Sequence, residues 1–215
     1  MKIKTVVDFA KEYIEKNIIS GNFKPGQKLK EDEIINKLKI SKPPVREAFK
    51  ILESEGLLNR IPRRGVYITE LNQKDIWEIY TLKMAIYGLC FRLVTEKIKD
   101  NEIKKLEKIV NDMKNCIQQN PPNIIKYQNL NTSFHLTIIN IINHGRIKKI
   151  FLNLNNQIHR YSNMTLANNT HLNNSYEYHL KILNAIKQKD KELAEKLTYK
   201  HIEEGLEVLL NLIEK

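Results

Sequence analysis

Residues 30–68, KEDEIINKLKISKPPVREAFKILESEGLLNRIPRRGVYI, decide how this chain reads. Glu31 to Leu38 carries Ile34, Ile35 and Leu38 at the spacing of one helix face. Lys39-Ile40 is a turn, and Ser41 is the N-cap of a further helix whose inner face is Val45, Ala48, Phe49 and Leu52. Glu55-Gly56 closes that helix. Leu58 to Ile61 and Val66 to Thr69 are short and rich in β-branched residues, with Pro62-Arg63-Arg64-Gly65 as the turn between them. Helix, tight turn, helix and basic-tipped hairpin make the layout of a winged helix-turn-helix.

Upstream, Thr5 can cap a first helix with Asp8 at its N3 position. Phe9, Tyr13, Ile14 and Ile18 recur along it, Gly21 ends it, and Phe23-Lys24-Pro25-Gly26 is a turn. Leu71-Asn72 is a boundary, and everything beyond it reads as helix. Asn72 caps a long helix to about Lys99, with Ile76, Tyr80, Leu82, Met84, Tyr87 and Phe91 apolar. Asp100 caps the next, through Gln119, and Pro121-Pro122 breaks it. Asn123 to Ile142 follows, then a His144-Gly145 turn and a helix from Arg146 to about Met164. The Asn-rich run Ala167 to Asn174 reads as a loop. Ser175 to Gln188 is helical, and Asp190 caps the last helix. The fold class is therefore mostly α: a winged helix-turn-helix over residues 1–70, then an all-α bundle of six or so helices over residues 71–215. Only 7 Gly and 6 Pro in 215 residues agree with long helices rather than a sheet-rich fold.

The net charge is +11, and its placement matters more than its size. Residues 1–70 hold 15 basic and 10 acidic side chains, and residues 37–64 alone hold 8 and 3. The N-terminal excess thus sits wholly in the helix-turn-helix, which points to nucleic acid. Cys90 and Cys116 lie in apolar helical settings without a CxxC pairing and are expected to be buried, reduced thiols. With no apolar signal segment and no run of about 18 apolar residues, the expectation is a cytoplasmic protein with no membrane partner.

Ser41 is a cap with an unusual consequence. An N-cap hydroxyl normally accepts from the N2 or N3 amide, but here those positions are Pro43 and Pro44, which have none. The hydroxyl is left for another partner, such as a phosphate oxygen. Lys42, Pro43 and Arg46 stand at the end of the helix that would face base edges, with Lys50 one turn on. Arg46 can fork onto a guanine, worth about 1–3 kcal/mol of discrimination. Its competing role is an ion pair with Glu47 or with an acid of the preceding helix. Arg63 and Arg64 beside Gly65 suit a minor-groove or phosphate contact from the wing.

In the helical part, His135 shares a face with Ile138, Ile139 and Ile142, and Asn131 stands one turn before it. His179 lies with Ile182, Leu183 and Ile186, and His201 between Leu197 and Val208. A single such histidine is most often a core residue hydrogen-bonded to a neighbour. Three on the inner faces of three helices can converge, and neutral imidazoles suit one divalent metal such as Zn²⁺ or Ni²⁺.

The stretch IISGNFKPGQKLKEDEIINKLKISKPPVREAFKILESEGLL, followed by PRRGVYI, resembles the N-terminal domain of the GntR family of bacterial transcription regulators. The helical remainder is similar to the FCD effector domain of the FadR-type branch. The resemblance implies a repressor of palindromic operators, acting as a homodimer. It implies an effector domain that takes a small organic acid, a carboxylate, and holds a metal through an Asp and three His. Phe134-His135, His179 and His201 match that pattern, with Asn131 at the acid position. Asn brings a carbonyl oxygen but no charge, so the site would bind metal more weakly or lean harder on an anionic ligand. Lys42 stands where the family usually has arginine and loses the fork, and Lys39 replaces a glycine common in the turn. Lys83 and Tyr87 stand where an Arg and a Glu often occur, so Lys83 and Arg160 are the cations left to receive a carboxylate. Two other readings compete: a metal-dependent enzyme in the helical part, and a non-specific architectural DNA-binding protein.

Overall fold

The computed structural model describes residues 4–214, apart from the side chain of Arg160. The helices are α1 (Val6–Ile19), α2 (Glu31–Leu38), α3 (Lys42–Ser54), α4 (Gln73–Lys97), α5 (Asp100–Ile117), α6 (Ile124–Ile142), α7 (Gly145–Leu166), α8 (Asn169–Lys187) and α9 (Lys191–Ile213). The strands are β1 (Lys28–Leu29), β2 (Leu58–Ile61) and β3 (Gly65–Ile68). The chain forms two compact units, one of Met1–Asn72 with Asn155–Arg160, the other of Gln73–Leu154 with Tyr161–Lys215.

In the first unit, α1 starts where Thr5 caps it: its hydroxyl accepts the Asp8 amide while the Asp8 carboxylate accepts the Thr5 amide. Such a box satisfies two of the four orphan donors at a helix start. Ile14 and Ile18 from α1, Ile34 from α2 and Val45, Phe49 and Leu52 from α3 close one apolar core with Leu58, Val66 and Ile68 of the strands. Ile35 and Leu38 pack on its edge. Phe9, expected inside by periodicity, is 51% exposed, and Ala10 takes the core position instead.

The hairpin pairs β2 with β3 antiparallel, Leu58 opposite Ile68 and Ile61 opposite Gly65. A third strand, not foreseen from the sequence, lies on the other side of β3: β1 pairs Lys28 with Tyr67, giving the order β1-β3-β2. Two residues have no periodicity to read, and the strand exists only because β3 offers an open edge.

In the second unit, α4 packs along α9, α8 lies against α9, and α5 against α6 and α8. The chain beyond Asn72 forms six helices, α4 to α9, and no strand among the described residues. Cys90 and Cys116 are free, buried thiols, and burial pushes Cys90 up to about 12. No helix among the described residues is long and apolar enough to cross a membrane. Two sequence expectations need correction. Leu82 is 47% exposed rather than inward. The Asn-rich run is not a loop: Asn168 caps α8 by accepting from the Thr170 and His171 amides, and the helix starts six residues before Ser175.

Candidate nucleic-acid interface and ligand cavity

At the start of α3 the sequence puts Lys42, Pro43 and Pro44 in the first three helical positions. Ser41 is the N-cap with extended backbone, and its side chain makes no cap hydrogen bond. The turn before it requires Lys39 to take the left-handed conformation, φ 53° and ψ 43°. That geometry costs a side-chain-bearing residue about 1–2 kcal/mol. It leaves the Lys39 side chain exposed on the turn.

Lys42, Pro43, Arg46, Glu47 and Lys50 line one surface groove of about 380 Å³. Arg46 is not a free cation. Its Nε donates to Glu31 Oε2 at 2.9 Å, and Lys42 Nζ lies 3.7 Å from the same oxygen. The ion pair with the preceding helix, weighed as a competing role, therefore exists. Because it uses Nε, it does not occupy the two Nη groups that form the fork. Lys50 stands 4.0 Å from Glu47, a loose exposed pair, and Arg60 is held by Glu53 through two hydrogen bonds.

The wing tip is built by backbone strain. Arg63 has φ 62° and Gly65 φ 118°. A Cβ on Gly65 would sit 2.9 Å from Lys28 Cε, so β1 and the tip are mutually close. Arg63 and Arg64 are exposed, and neither makes an ion pair among the described residues.

The second unit encloses a cavity of about 40 Å³ lined from five helices. From α6 it receives Gln128, Asn131 and His135, an i, i+3, i+7 stripe. From α8 come His171 and Ser175, with His179 one further turn on. From α9 come His201, Ile202 and Gly205, from α4 Tyr80 and Lys83, and from α7 Ser162, Thr165 and Leu166. One ligand atom from each of His135, His179 and His201 lies within 4.8 Å of the others. The His179 and His201 rings approach to 4.5 Å between centroids.

The hydrogen bonding of these groups is informative. His179 Nδ1 is 2.6 Å from the Ser175 carbonyl, which can only accept, so Nδ1 carries the proton and Nε2 is a lone pair. Tyr127 donates its hydroxyl to Ser175 Oγ at 3.0 Å, fixing the turn that holds His179. Asn131 gives its Nδ2 to Gln128 Oε1 at 3.3 Å. Four buried atoms then have no partner: Asn131 Oδ1, His179 Nε2 and the Nδ1 atoms of His135 and His201. Buried polar atoms are rarely left so.

Burial holds all three imidazoles neutral. It lowers His179 to about 4, with Lys83 pushing the same way and the Ser175 bond opposing. It lowers His135 and His201 well below 6.5, helped by the neighbouring His179 and by Lys83. Burial also brings Lys83 down to about 8. Its ammonium stands 5.3 Å from the Tyr80 ring centroid and 5.1 Å from that of Tyr87, a cation–π seat. Among the described residues no carboxylate lines the cavity. Glu204 lies outside that lining, accepting from Asn174 and standing 3.5 Å from His171 Nδ1.

Of the residues singled out from sequence, Asn131, His135, His201 and Lys83 line the cavity, and His179 stands within ligand distance of the other two histidines. Arg160 is on α7, with its side chain outside the described residues. His171 and Ser175 were not picked out. The i, i+4, i+8 spacing with His179 carries their signal; reading residues 167–174 as a loop hid His171, while Ser175, read as the first residue of the helix, was passed over.

Residues 7–68 match the gntR family of bacterial regulatory proteins, and residues 78–204 match the FCD domain. The gluconate operon transcriptional repressor of Bacillus subtilis is 32% identical over 199 residues, covering 89% of this chain and 79% of that protein. The HTH-type transcriptional regulator YdhC of the same organism is 28% identical over 202 residues, covering 94% of this chain and 90% of that one. Among solved structures, Escherichia coli McbR/YncC superposes with a TM-score of 0.82 at 19% identity, over 98% of this chain and 100% of that one.

Proposed function

This chain belongs to the gntR family of bacterial regulatory proteins, carries an FCD domain and is a DNA-binding transcriptional regulator rather than an enzyme; on that footing we propose that it is a repressor whose operator affinity is set by a small organic acid bound at a metal ion. The DNA contacts we assign to Ser41, Lys42, Pro43, Arg46 and Lys50 of the α3 groove and to Arg63, Arg64 and Gly65 of the wing. Two copies, as a homodimer, read a palindromic site, one half-site each. Repression follows the role of its gluconate operon relatives, which are transcriptional repressors.

One observation carries the ligand half of this reading: His135, His179 and His201 each bring a ring nitrogen within 4.8 Å of the others, and Asn131, whose Oδ1 is buried and unpartnered, lines the cavity beside them. Neutral nitrogens and a carbonyl oxygen are an acceptable set for a borderline divalent ion. Metal–nitrogen bonds of about 2.0–2.1 Å put tetrahedral ligand edges near ~3.4 Å, so atoms within 4.8 Å of one another need small ring rotations to close on an ion. His135, His179, His201 and Asn131 would hold it, and the Tyr127–Ser175 pair would keep His179 Nε2 aimed. The ion supplies a Lewis-acidic seat for an acid's oxygen, and Lys83 supplies a point charge beside it. Effector and operator then bias each other's binding equally.

Metal analysis of protein purified without chelator, with acetate present throughout, is expected to find about one divalent ion per chain, lost in His135→Ala. Finding none, with effector binding intact in His135→Ala, sinks the metal part. Operator affinity is expected to fall steeply with salt through counterion release. A flat response between low and moderate salt sinks the DNA part.

A further inference from the structure

The proposed metal seat contains no negative charge. Its donors are three neutral imidazoles and the amide oxygen of Asn131, and the nearby Lys83 is a cation seated over the Tyr80 and Tyr87 rings. Asn131 is held in this role by its neighbour: with Nδ2 given to Gln128 Oε1, its Oδ1 is the atom left buried and unpaired. Glu204, the carboxylate near His171, is turned to Asn174 and does not line the cavity.

Adding a divalent ion to this cavity raises the local charge from +1 to +3 if Lys83 is protonated, beside imidazoles that are themselves buried. Charge in such surroundings is strongly disfavoured unless matched. A carboxylate donor would remove one unit of that excess, and an amide donor removes none. We propose that Asn131 makes metal and anion binding mutually dependent here, so that the cavity fills with the metal–carboxylate pair and holds either partner alone poorly. This rests on the metal reading given above. The protein then responds to the coincidence of ion and acid, and the coupling is reciprocal by thermodynamic necessity. The cavity, about 40 Å³, has room for an ion with a small anionic head group and little more.

The test titrates Ni²⁺ into the full-length, chelator-stripped protein by calorimetry, in buffer whose only anion is perchlorate, and again with saturating acetate or with the same concentration of chloride. Acetate is expected to tighten Ni²⁺ binding by about 5- to 150-fold, the usual range of such couplings, with the same factor returned when acetate is titrated onto the Ni²⁺-loaded and stripped protein. Chloride producing the full effect overturns the carboxylate assignment. In Asn131→Asp, Ni²⁺ is expected to bind tightly in perchlorate alone, with the acetate effect cut at least tenfold. Wild-type protein that binds Ni²⁺ equally well with and without acetate overturns the coupling while leaving the metal reading standing. A coupling retained in full in Asn131→Asp overturns the role of Asn131. Failure of wild-type protein to bind Ni²⁺ in any of the three buffers overturns the metal reading and this inference with it. The wild-type arm alone decides the coupling should the variant misfold, which its thermal unfolding curve reports.

Discussion

Replacing Glu31 by Gln isolates what the Glu31–Arg46–Lys42 cluster does for DNA recognition. The carboxylate accepts from Arg46 Nε at 2.9 Å and lies 3.7 Å from Lys42 Nζ, and the Arg46 side chain is 58% exposed. Such an exposed pair contributes about 0.2–1 kcal/mol to stability once screening and side-chain entropy are counted. The unfolding midpoint of Glu31→Gln should therefore move little. Its effects on DNA should be larger and opposite in sign for the two kinds of site. On arbitrary sequence, Glu31 cancels one of two adjacent cations. Removing it frees about one charge per protomer, which steepens the log–log salt slope by ~0.9 for each protomer and strengthens non-specific binding at low salt. On the operator, the guanidinium loses the anchor that fixes its plane. A forked guanine contact is worth about 1–3 kcal/mol, and a loosely held fork keeps only part of that. The ratio of operator to scrambled-DNA affinity should fall several-fold in Glu31→Gln and collapse in Arg46→Ala. Fluorescence anisotropy on an operator duplex and its scramble, at several salt concentrations, measures both quantities. An operator-to-scramble ratio unchanged within a factor of two in Glu31→Gln, with Arg46→Ala still collapsing it, would refute the positioning role.

Further consequences follow from other residues. His179 is held at about 4 by burial, against an ordinary 6.5, and His135 and His201 are displaced in the same direction. The unfolded chain therefore binds protons that the folded chain refuses, so metal-free protein should keep full stability above pH 6.5 and lose it toward pH 4. The slope is up to about 1.4 kcal/mol per pH unit for each histidine, read from urea midpoints, and a flat profile over that window contradicts it. Lys39→Gly relieves a left-handed residue at φ 53°. The gain of about 1–2 kcal/mol exceeds the extra chain entropy of glycine, about 0.5–1. The midpoint should rise slightly while DNA affinity drops with the lost cation, and a lower midpoint counts against the strain. Gly65→Ala places a methyl 2.9 Å from Lys28 Cε on backbone at φ 118°. It should cost about 1–3 kcal/mol, and an unchanged denaturation curve counts against the tip geometry.

The DNA-binding half was legible because its signals are local. Thr5 and Asp8 are three residues apart, the prolines of α3 stand two and three residues after Ser41, and the four inward residues of α3 repeat at helical spacing. What was missed depends on contacts distant in sequence. β1 is two residues given strand geometry by β3. Phe9 and Leu82 fit a helix period yet face outward, because periodicity marks an apolar face without saying whether anything covers it. The start of α8 was missed because Asn-rich sequence has weak helix propensity, and only the Asn168 cap and the buried Leu172 outweigh it. That one boundary hid His171, while the hydrogen bond between His179 and the Ser175 carbonyl is a side-chain placement that spacing alone does not show.

The cavity also bears on why the second unit is built as it is. An apolar core gains from every atom it buries, whereas each buried polar atom without a partner costs about 1–3 kcal/mol. Asn131 Oδ1, His135 Nδ1, His179 Nε2 and His201 Nδ1 are four such atoms drawn from three helices. Their combined cost is comparable to the whole stability of a typical domain, roughly 5–15 kcal/mol, so carrying all four in one unit is poor design for a structure whose only task is to stay folded. The same atoms become favourable once something accepts their lone pairs. Occupancy at 100 times the dissociation constant adds about 2.7 kcal/mol. Those unmade interactions are thus available to whatever binds there, and a site arranged in this way is one whose filling can shift an equilibrium elsewhere in the molecule.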